Sequence, residues 1–349
     1  MGSQGRHLYR FRDLNQVNNV AGSVDSCGNG QTITYGNQCF PSYTYASLGT
    51  IPLYYINQIE TSAMSNYNSL QGTLKLQNWH NLTSTLNFTW AHSIDTASDG
   101  LDFVPNAAMP DNSWNPRGER ASSNFDVRQR LQWYWTYKLP QAHHAEKILG
   151  GWALDCMFNF ATGQPYTVSY LFETLLGGNY NGSGEYFGRP DIVGNPYAGT
   201  SGTNLLNLAA FAAPCTVDTN PASPTYNTCI DPHPGSEGRN AFNSPNYANF
   251  DFSLTKTSHL RERLTMELRA DLFNSFNHPN LSNPLLPGFG IDAFGNSHAV
   301  GNQLVAGADP VANGPQFVTT TATPDVGSGN PYLGGGGPRS AQLAVHFKF

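Results

Sequence analysis

The sequence predicts an all-β protein: an antiparallel up-and-down transmembrane β-barrel segment of about eight strands with long outer loops. The first observation behind this is period-two alternation, repeated segment after segment, which gives a strand one apolar and one polar side. It is plainest in the last ten residues, Ser340 to Phe349, where Leu343, Val345, Phe347 and Phe349 share one face and Gln342, His346 and Lys348 the other. The second is composition. Only 12% of the 349 residues are charged, about half the share usual in soluble domains, and aromatics also reach 12%. No run approaches the roughly 18 apolar residues of a membrane helix, so a membrane location requires a barrel. The third is that long and short connections alternate along the chain.

Residues 5–12 (GRHLYRFR) read as the end of a strand, followed by a polar loop and a short apolar segment from Ile51 to Ile59. Tyr67 to Trp79 then alternates, with Leu70, Leu74 and Leu76 opposite Gln71, Thr73, Lys75 and Gln77. Its partner runs from Leu82 to Ser93, with Leu82, Leu86, Phe88 and Trp90 opposite Thr83, Thr85, Asn87 and Thr89. The link through His80 and Asn81 suits a tight hairpin. After a loop over 94–124, Phe125 to Leu139 is the longest alternating run. Phe125, Val127, Leu131, Trp133, Trp135, Tyr137 and Leu139 share a face, and their Trp and Tyr suit a membrane interface.

Beyond a modest turn at 140–150, Gly151 to Thr162 aligns Trp152, Leu154, Cys156, Phe158 and Phe160. An irregular region over 163–245 is long enough to suggest function. Tyr247 to Ser258 places Phe250, Phe252 and Leu254 opposite Asp251, Ser253 and Thr255. Arg263 to Phe276 does the same with Leu264, Met266, Leu268, Ala270 and Leu272 against Thr265, Glu267, Arg269 and Asp271. A Gly/Pro/Asn loop over 277–339 precedes the terminal strand. Phe252 and Leu268 should therefore reject charge, and Ser253, on the polar side, should accept it.

Short turns are expected on the periplasmic side and long loops outside. The cysteine pairs Cys27 with Cys39 and Cys215 with Cys229 then lie in outer loops, each closing a small disulfide loop in an oxidising compartment. Cys156 is left over as a small buried or lipid-facing residue. The first residues, MGSQGRHLYRFRDLNQ, lack the apolar core of a secretory signal, so a start upstream of Met1 is expected.

Other function classes find little support. A net charge of −6 with no basic stripe argues against nucleic acid. No nucleophile elbow or carboxylate pair points to catalysis, so no catalytic residue and no enzyme activity are expected. No metal site is expected. Asp95, Asp99 and Asp102 miss the EF-hand spacing and read as a solvated acidic loop, and His143 and His144 read as turn residues. Gly182, Gly184 and Gly188 lack the strand and helix of a dinucleotide site, so no cofactor is expected.

The segments SNYNSLQ (65–71), FTWAHSID (88–95), NFDVRQRL (124–131), LGGWALD (149–155), TGQPYTV (162–168), GRPDIVG (188–194), GRNAF (238–242), NFDFSLTK (249–256) and LRADLFNSFNHPN (268–280) occur in a characteristic order. In that order the chain resembles TonB-dependent outer-membrane receptors, and within them the Oar-like proteins with a carboxypeptidase-regulatory-like N-terminal domain. The resemblance implies a barrel of about 22 strands with a plug in its lumen. Residues 1–349 would form a single partial barrel domain matching its C-terminal part. The plug, the N-terminal strands and the contact with the TonB complex, made through that plug, are expected outside this chain.

The expected function is the wall and outer ligand-capturing loops of an uptake channel. The alternatives are a non-transporting outer-membrane adhesin or structural barrel, and a secreted carbohydrate-binding β-sandwich. Tyr166, Tyr170, Tyr180, Tyr186 and Tyr197 are the candidate ligand-contacting residues, since Tyr among Asn and Gly supplies flat apolar area with adaptable hydrogen bonds. The lumen-facing charges Asp126, Arg128, Arg130, Glu267, Arg269 and Asp271 are expected to pair with one another or with a plug. Phe347 and Phe349 read as a C-terminal signal for the barrel assembly machinery. The remaining expected partners are outer-membrane lipid and a solute of carbohydrate, peptide or siderophore type.

Overall fold

The computed structural model describes residues 1–13, 32–35, 38–45, 49–52, 57–98, 110–112, 115–140, 146–171, 187–202, 204–212, 216–217, 220–223, 229–230, 234–261, 263–281, 303–305, 317–319 and 338–349. Eight long strands dominate: β1 (Gly2–Asp13), β2 (Asn57–Trp79), β3 (Leu82–Asp95), β4 (Gln129–Lys138), β5 (Trp152–Ala161), β6 (Tyr247–Arg261), β7 (Leu264–Phe273) and β8 (Ser340–Lys348). They lie side by side in chain order, each antiparallel to the next. The pair Ala121–Ser122 adds a short strand beside the end of β3. Among the described residues no pairing joins β1 to β8.

Register carries the alternation from strand to strand. Leu74, Leu86, Trp133, Phe158 and Phe250 are successive cross-strand partners and so share one face. Two residues along, Leu76, Ser84, Trp135, Cys156, Phe252 and Leu272 continue it. Between these rows, on the opposite face, run Lys75, Thr85, Tyr134, Met157 and Asp251. Ser84 fits the apolar face because its hydroxyl accepts the Trp133 indole N–H at 2.9 Å. Lys256 fits at the short-turn end, where its ammonium donates to the Gly150 carbonyl and lies 5.5 Å above the Trp152 ring.

The apolar face is not the core. Leu70, Leu74, Trp90, Leu343, Val345 and Phe347 are each more than half exposed, a continuous apolar surface that water would not tolerate and lipid would. The buried apolar side chains lie mainly in the long loops: Tyr166, Val168, Leu206, Leu208, Phe211 and Phe242. No helix among the described residues is long and apolar enough to cross a membrane.

The β2–β3 connection is the expected tight hairpin. Trp79 pairs with Leu82, leaving a two-residue loop in which His80 (φ 49°) and Asn81 (φ 66°) are both left-handed, as the twist of such a hairpin requires. The β6–β7 turn is equally short, with Arg261 opposite Leu264.

Several boundaries differ from the sequence expectation. β2 begins at Asn57, ten residues before Tyr67, and pairs there with β1. The segment from Ile51 to Ile59 is therefore divided between a short strand, Gly49–Pro52, and the start of β2. β4 begins only at Gln129, so Phe125 and Val127 are not in it. The reason is a contact distant in sequence: Asp126 turns back to accept the Ser93 amide at 2.7 Å and cannot hold a place in an extended ladder. β7 stops at Phe273 because Asn274 is left-handed (φ 45°) and gives its amide to Asp251 at 2.9 Å. A four-residue helix, Glu146–Leu149, fills the turn after β4. The described parts of the 163–245 region, expected to be irregular, contain short strand pairs, including Pro165–Tyr166 with Phe242–Asn243 and Asp191–Ile192 with Phe211–Ala212.

Candidate functional site

At the long-loop end of β3, the polar face is covered by segments of two loops. β3 delivers Ser93 and Asp95, which alternation keeps on the polar side with Thr89 and Ala91. The chain after β3 returns along it: the Ser93 and Ser123 hydroxyls lie 2.8 Å apart, and Asp126 holds the Ser93 amide. The later loop is anchored onto this surface by its GRNAF segment. Asn240 donates from Nδ2 to the Ser122 carbonyl and to Asn124 Oδ1, both at 2.7 Å, and its amide donates to Thr167 Oγ1 at 2.7 Å.

Arg239 commits all three guanidinium nitrogens to the same knot. Nε donates to the Glu119 carbonyl at 2.9 Å, Nη1 to Ser98 Oγ at 3.0 Å, and Nη2 to the Asp95 carbonyl and carboxylate. Glu119 in turn takes both Nη atoms of Arg189, at 2.5 and 2.8 Å, and the Arg189 amide donates to Asp111 at 3.1 Å. Asp111 also accepts the Gly235 amide at 3.1 Å. Gly235 leaves no room for a side chain, since a Cβ there would sit 2.0 Å from the Arg189 carbonyl oxygen. From β1, Arg10 donates to the Pro116 carbonyl at 3.1 Å and pairs with Glu60 at 3.8 Å. The first strand is thus tied to the loop between β3 and β4.

Burial sets the electrostatics. Burial alone would push Glu119 up, but the Arg189 hydrogen bonds and the charges of Arg189, Arg239 and Arg10 hold its carboxyl below the usual carboxylate range. Burial would lower Arg189, and Asp111 and Glu119 more than reverse that. Glu237 differs. Burial pushes its carboxyl well above the usual range, against the opposing Val168 amide bond and the Arg189 charge. Its Oε1 accepts that amide at 2.8 Å, whereas Oε2 is buried without a partner. Next to it the Tyr166 and Phe242 rings lie 6.0 Å apart, with Phe211 and Tyr197 edge-on to Phe242 at 5.8 and 6.1 Å. The assembly is a clasp that ties the long loops together, and among the described residues it holds no metal-ligand cluster.

The residues expected from sequence fall in different places. Tyr166 is 1% exposed, so it packs inside the clasp, where the expectation of ligand contact does not fit it. Tyr197 is exposed beside Phe242. Tyr170 lies in a short strand, Ser169–Leu171, and Tyr180 and Tyr186 lie outside the described residues. Asp126 pairs with Arg128 at 2.7 Å, Arg269 with Asp271 at 2.7 Å, and Lys348 with Glu267 at 2.7 Å. Arg130 stands exposed on the same polar face, opposite Thr89. Asp95 is not the solvated loop residue expected, because Arg239 holds it buried; Asp99, Asp102, His143 and His144 lie outside the described residues. So do Cys27 and Cys215, whereas Cys39 and Cys229 lie in short strands, Gln38–Tyr45 and Cys229–Ile230. Cys156 is free and buried, in the row of Trp135 and Phe252. Phe347, on the last strand, and Phe349, one residue past its end, are both exposed.

Sequence reasoning missed Glu119, Arg189, Glu237 and Arg239 as a group. The available signal was that GRPDIVG and GRNAF each place an Arg directly after a Gly inside a loop otherwise poor in charge.

A family model described as an outer membrane beta barrel domain matches residues 1–303. No curated protein and no solved structure matches the chain.

Proposed function

The chain belongs to the outer membrane beta barrel domain family and resides in the bacterial outer membrane, and from that premise we propose that it forms the wall and the solute-capturing outer loops of a TonB-dependent, Oar-like uptake channel. The observation that supports this most is the clasp itself. Segments that carry the receptor resemblance, FTWAHSID, NFDVRQRL, TGQPYTV, GRPDIVG and GRNAF, supply its members Asp95, Asn124, Thr167, Arg189 and Arg239. A barrel that served only as a passive wall would have little use for a buried ionic knot. A receptor needs its loops held in one arrangement over the mouth, because a preorganised surface loses less entropy on capturing a solute.

On this reading the lipid meets the Leu/Phe/Trp face and the polar face lines the solute's route once a plug moves. The TonB complex acts through that plug, the barrel assembly machinery reads the terminal aromatic strand, and the chain carries out no catalysis. Deleting the gene in its host tests the proposal. A solute whose uptake falls equally in the deletion strain and in a strain lacking TonB supports it. Unchanged uptake of every solute, with lost surface adhesion, would make the protein an adhesin.

A further inference from the structure

Across five neighbouring strands the polar face carries one uncharged row. Thr73, Asn87, Gln132, Asn159 and Asn249 are successive cross-strand partners on β2, β3, β4, β5 and β6. Four of the five are amides, one per strand, repeating at the strand spacing of about 4.8 Å. The ends of the row are occupied from within: Thr73 donates to Asn87 Oδ1 at 2.9 Å, and Asn249 donates to Asp251 at 2.9 Å. The middle is free. Among the described residues the side-chain amides of Gln132 and Asn159 have no hydrogen-bond partner, and both are partly open to solvent.

Two tyrosines border the row on the same face, Tyr134 two residues beyond Gln132 and Tyr247 two residues before Asn249. The carboxylates nearby are already engaged, Asp251 by Asn249 and the Asn274 amide, and Asp155 by Thr136 at 2.5 Å.

We propose that this amide row is a binding track for a neutral polyhydroxyl solute, an oligosaccharide. This inference rests on the receptor reading above and names its substrate class. The chemistry is specific in kind. A side-chain amide presents a donor and an acceptor together, matching a hydroxyl, which is both. Flat phenol rings at the border suit the apolar faces of sugar rings, and the row carries no charge to demand one from the solute. The strand spacing sets successive amides about one sugar unit apart. An acidic peptide would instead seek Arg130, one row toward the long loops, or Lys75, one row away on the other side.

The test uses the whole receptor as its gene encodes it, extracted from outer membranes in detergent, with heat-modifiable gel mobility confirming the fold of each variant. Maltohexaose, an acidic hexapeptide and a ferric hydroxamate siderophore are titrated against the wild type, against the triple variant Asn87→Ala, Gln132→Ala, Asn159→Ala, and against Arg130→Gln. The expected result is binding of the hexasaccharide that weakens about tenfold or more in the triple variant, the cost of losing two or three hydrogen bonds, and that Arg130→Gln leaves unchanged. Hexasaccharide binding indifferent to the triple variant overturns the track. Preferential binding of the peptide or the siderophore overturns the carbohydrate inference while leaving the receptor reading standing. Binding of none of the three overturns the track, and the uptake screen then judges the receptor reading alone. Should the triple variant fail to fold, the single variant Gln132→Ala, which breaks no internal bond, takes its place under the same criteria with a smaller expected loss.

Discussion

Arg239 and Asp95, 144 residues apart in the chain, meet as an ion pair in which both side chains are almost wholly buried. The same guanidinium nitrogen also donates to the Asp95 backbone carbonyl, so the contact closes the loop onto the strand end and not only charge onto charge. Removing either partner leaves the other buried and unpaired, which costs about 3–5 kcal/mol. Arg239→Met should therefore expose the clasp segments 115–126, 187–202 and 234–243 to limited proteolysis while the strands stay resistant. Asp95→Asn, which keeps the carbonyl contact, should do less. Equal protease resistance of Arg239→Met and wild type would show that the clasp does not hold the loops.

The two buried glutamates should respond to pH in opposite directions. Glu119 is held low, so its contribution is complete above the unfolded value of about 4.3 and is lost as pH falls through its lower folded value. Glu237 is held high, so the folded state favours its protonated form. Its stability is complete below about 4.3 and is lost as pH rises through the raised value. Glu237→Gln should then preserve the Val168 contact and make loop protection at pH 8 equal to or greater than wild type. Glu119→Gln should weaken protection at pH 7 and remove the acid-side loss. Proteolysis rates of the loops between pH 4 and 8 decide this, and a Glu237→Gln chain less protected at pH 8 would contradict it.

Charge on the two faces should separate cleanly, with one exception that the structure introduces. Leu268→Arg and Phe252→Asp lie on the apolar face and should block assembly, because a charge there replaces an apolar contact with lipid. Thr73→Asp lies exposed on the polar face and should assemble. Ser253→Asp, expected from alternation alone to be tolerated, should fail, because the Ser253 hydroxyl is buried and donates to Asp271 at 2.5 Å. A carboxylate there would face another carboxylate. Heat-modifiable mobility after refolding reports each case, and normal assembly of Ser253→Asp would remove the correction.

The β2–β3 hairpin should depend on its left-handed pair. Asn81→Val forces a β-branched residue into φ 66° and should cost about 1–2 kcal/mol. The double change His80→Asn with Asn81→Gly should be neutral or stabilising. Denaturant midpoints of the refolded chain measure both, and an Asn81→Val midpoint equal to wild type would argue for a different turn.

Alternation is a local property, since neighbouring side chains in an extended chain must point to opposite sides, and it was therefore legible in residues such as Leu264 to Leu272 and Gln342 to Lys348. It determined the strands, their two faces, the membrane setting and the short hairpin at His80 and Asn81 before any contact was known. The resemblance went further and marked the segments holding Asp95, Arg189 and Arg239, though not what they touch. Only the tertiary structure decided that these charges meet, because the partners come from three separated stretches and no spacing links position 95 to position 239. It also decided where alternation yields: Asp126 leaves the ladder to hold Ser93, Tyr166 goes inside the clasp, and Ser253 is closed off by Asp271. In each case a hydrogen bond or packing contact to a residue distant in sequence outweighs the preference of the local pattern.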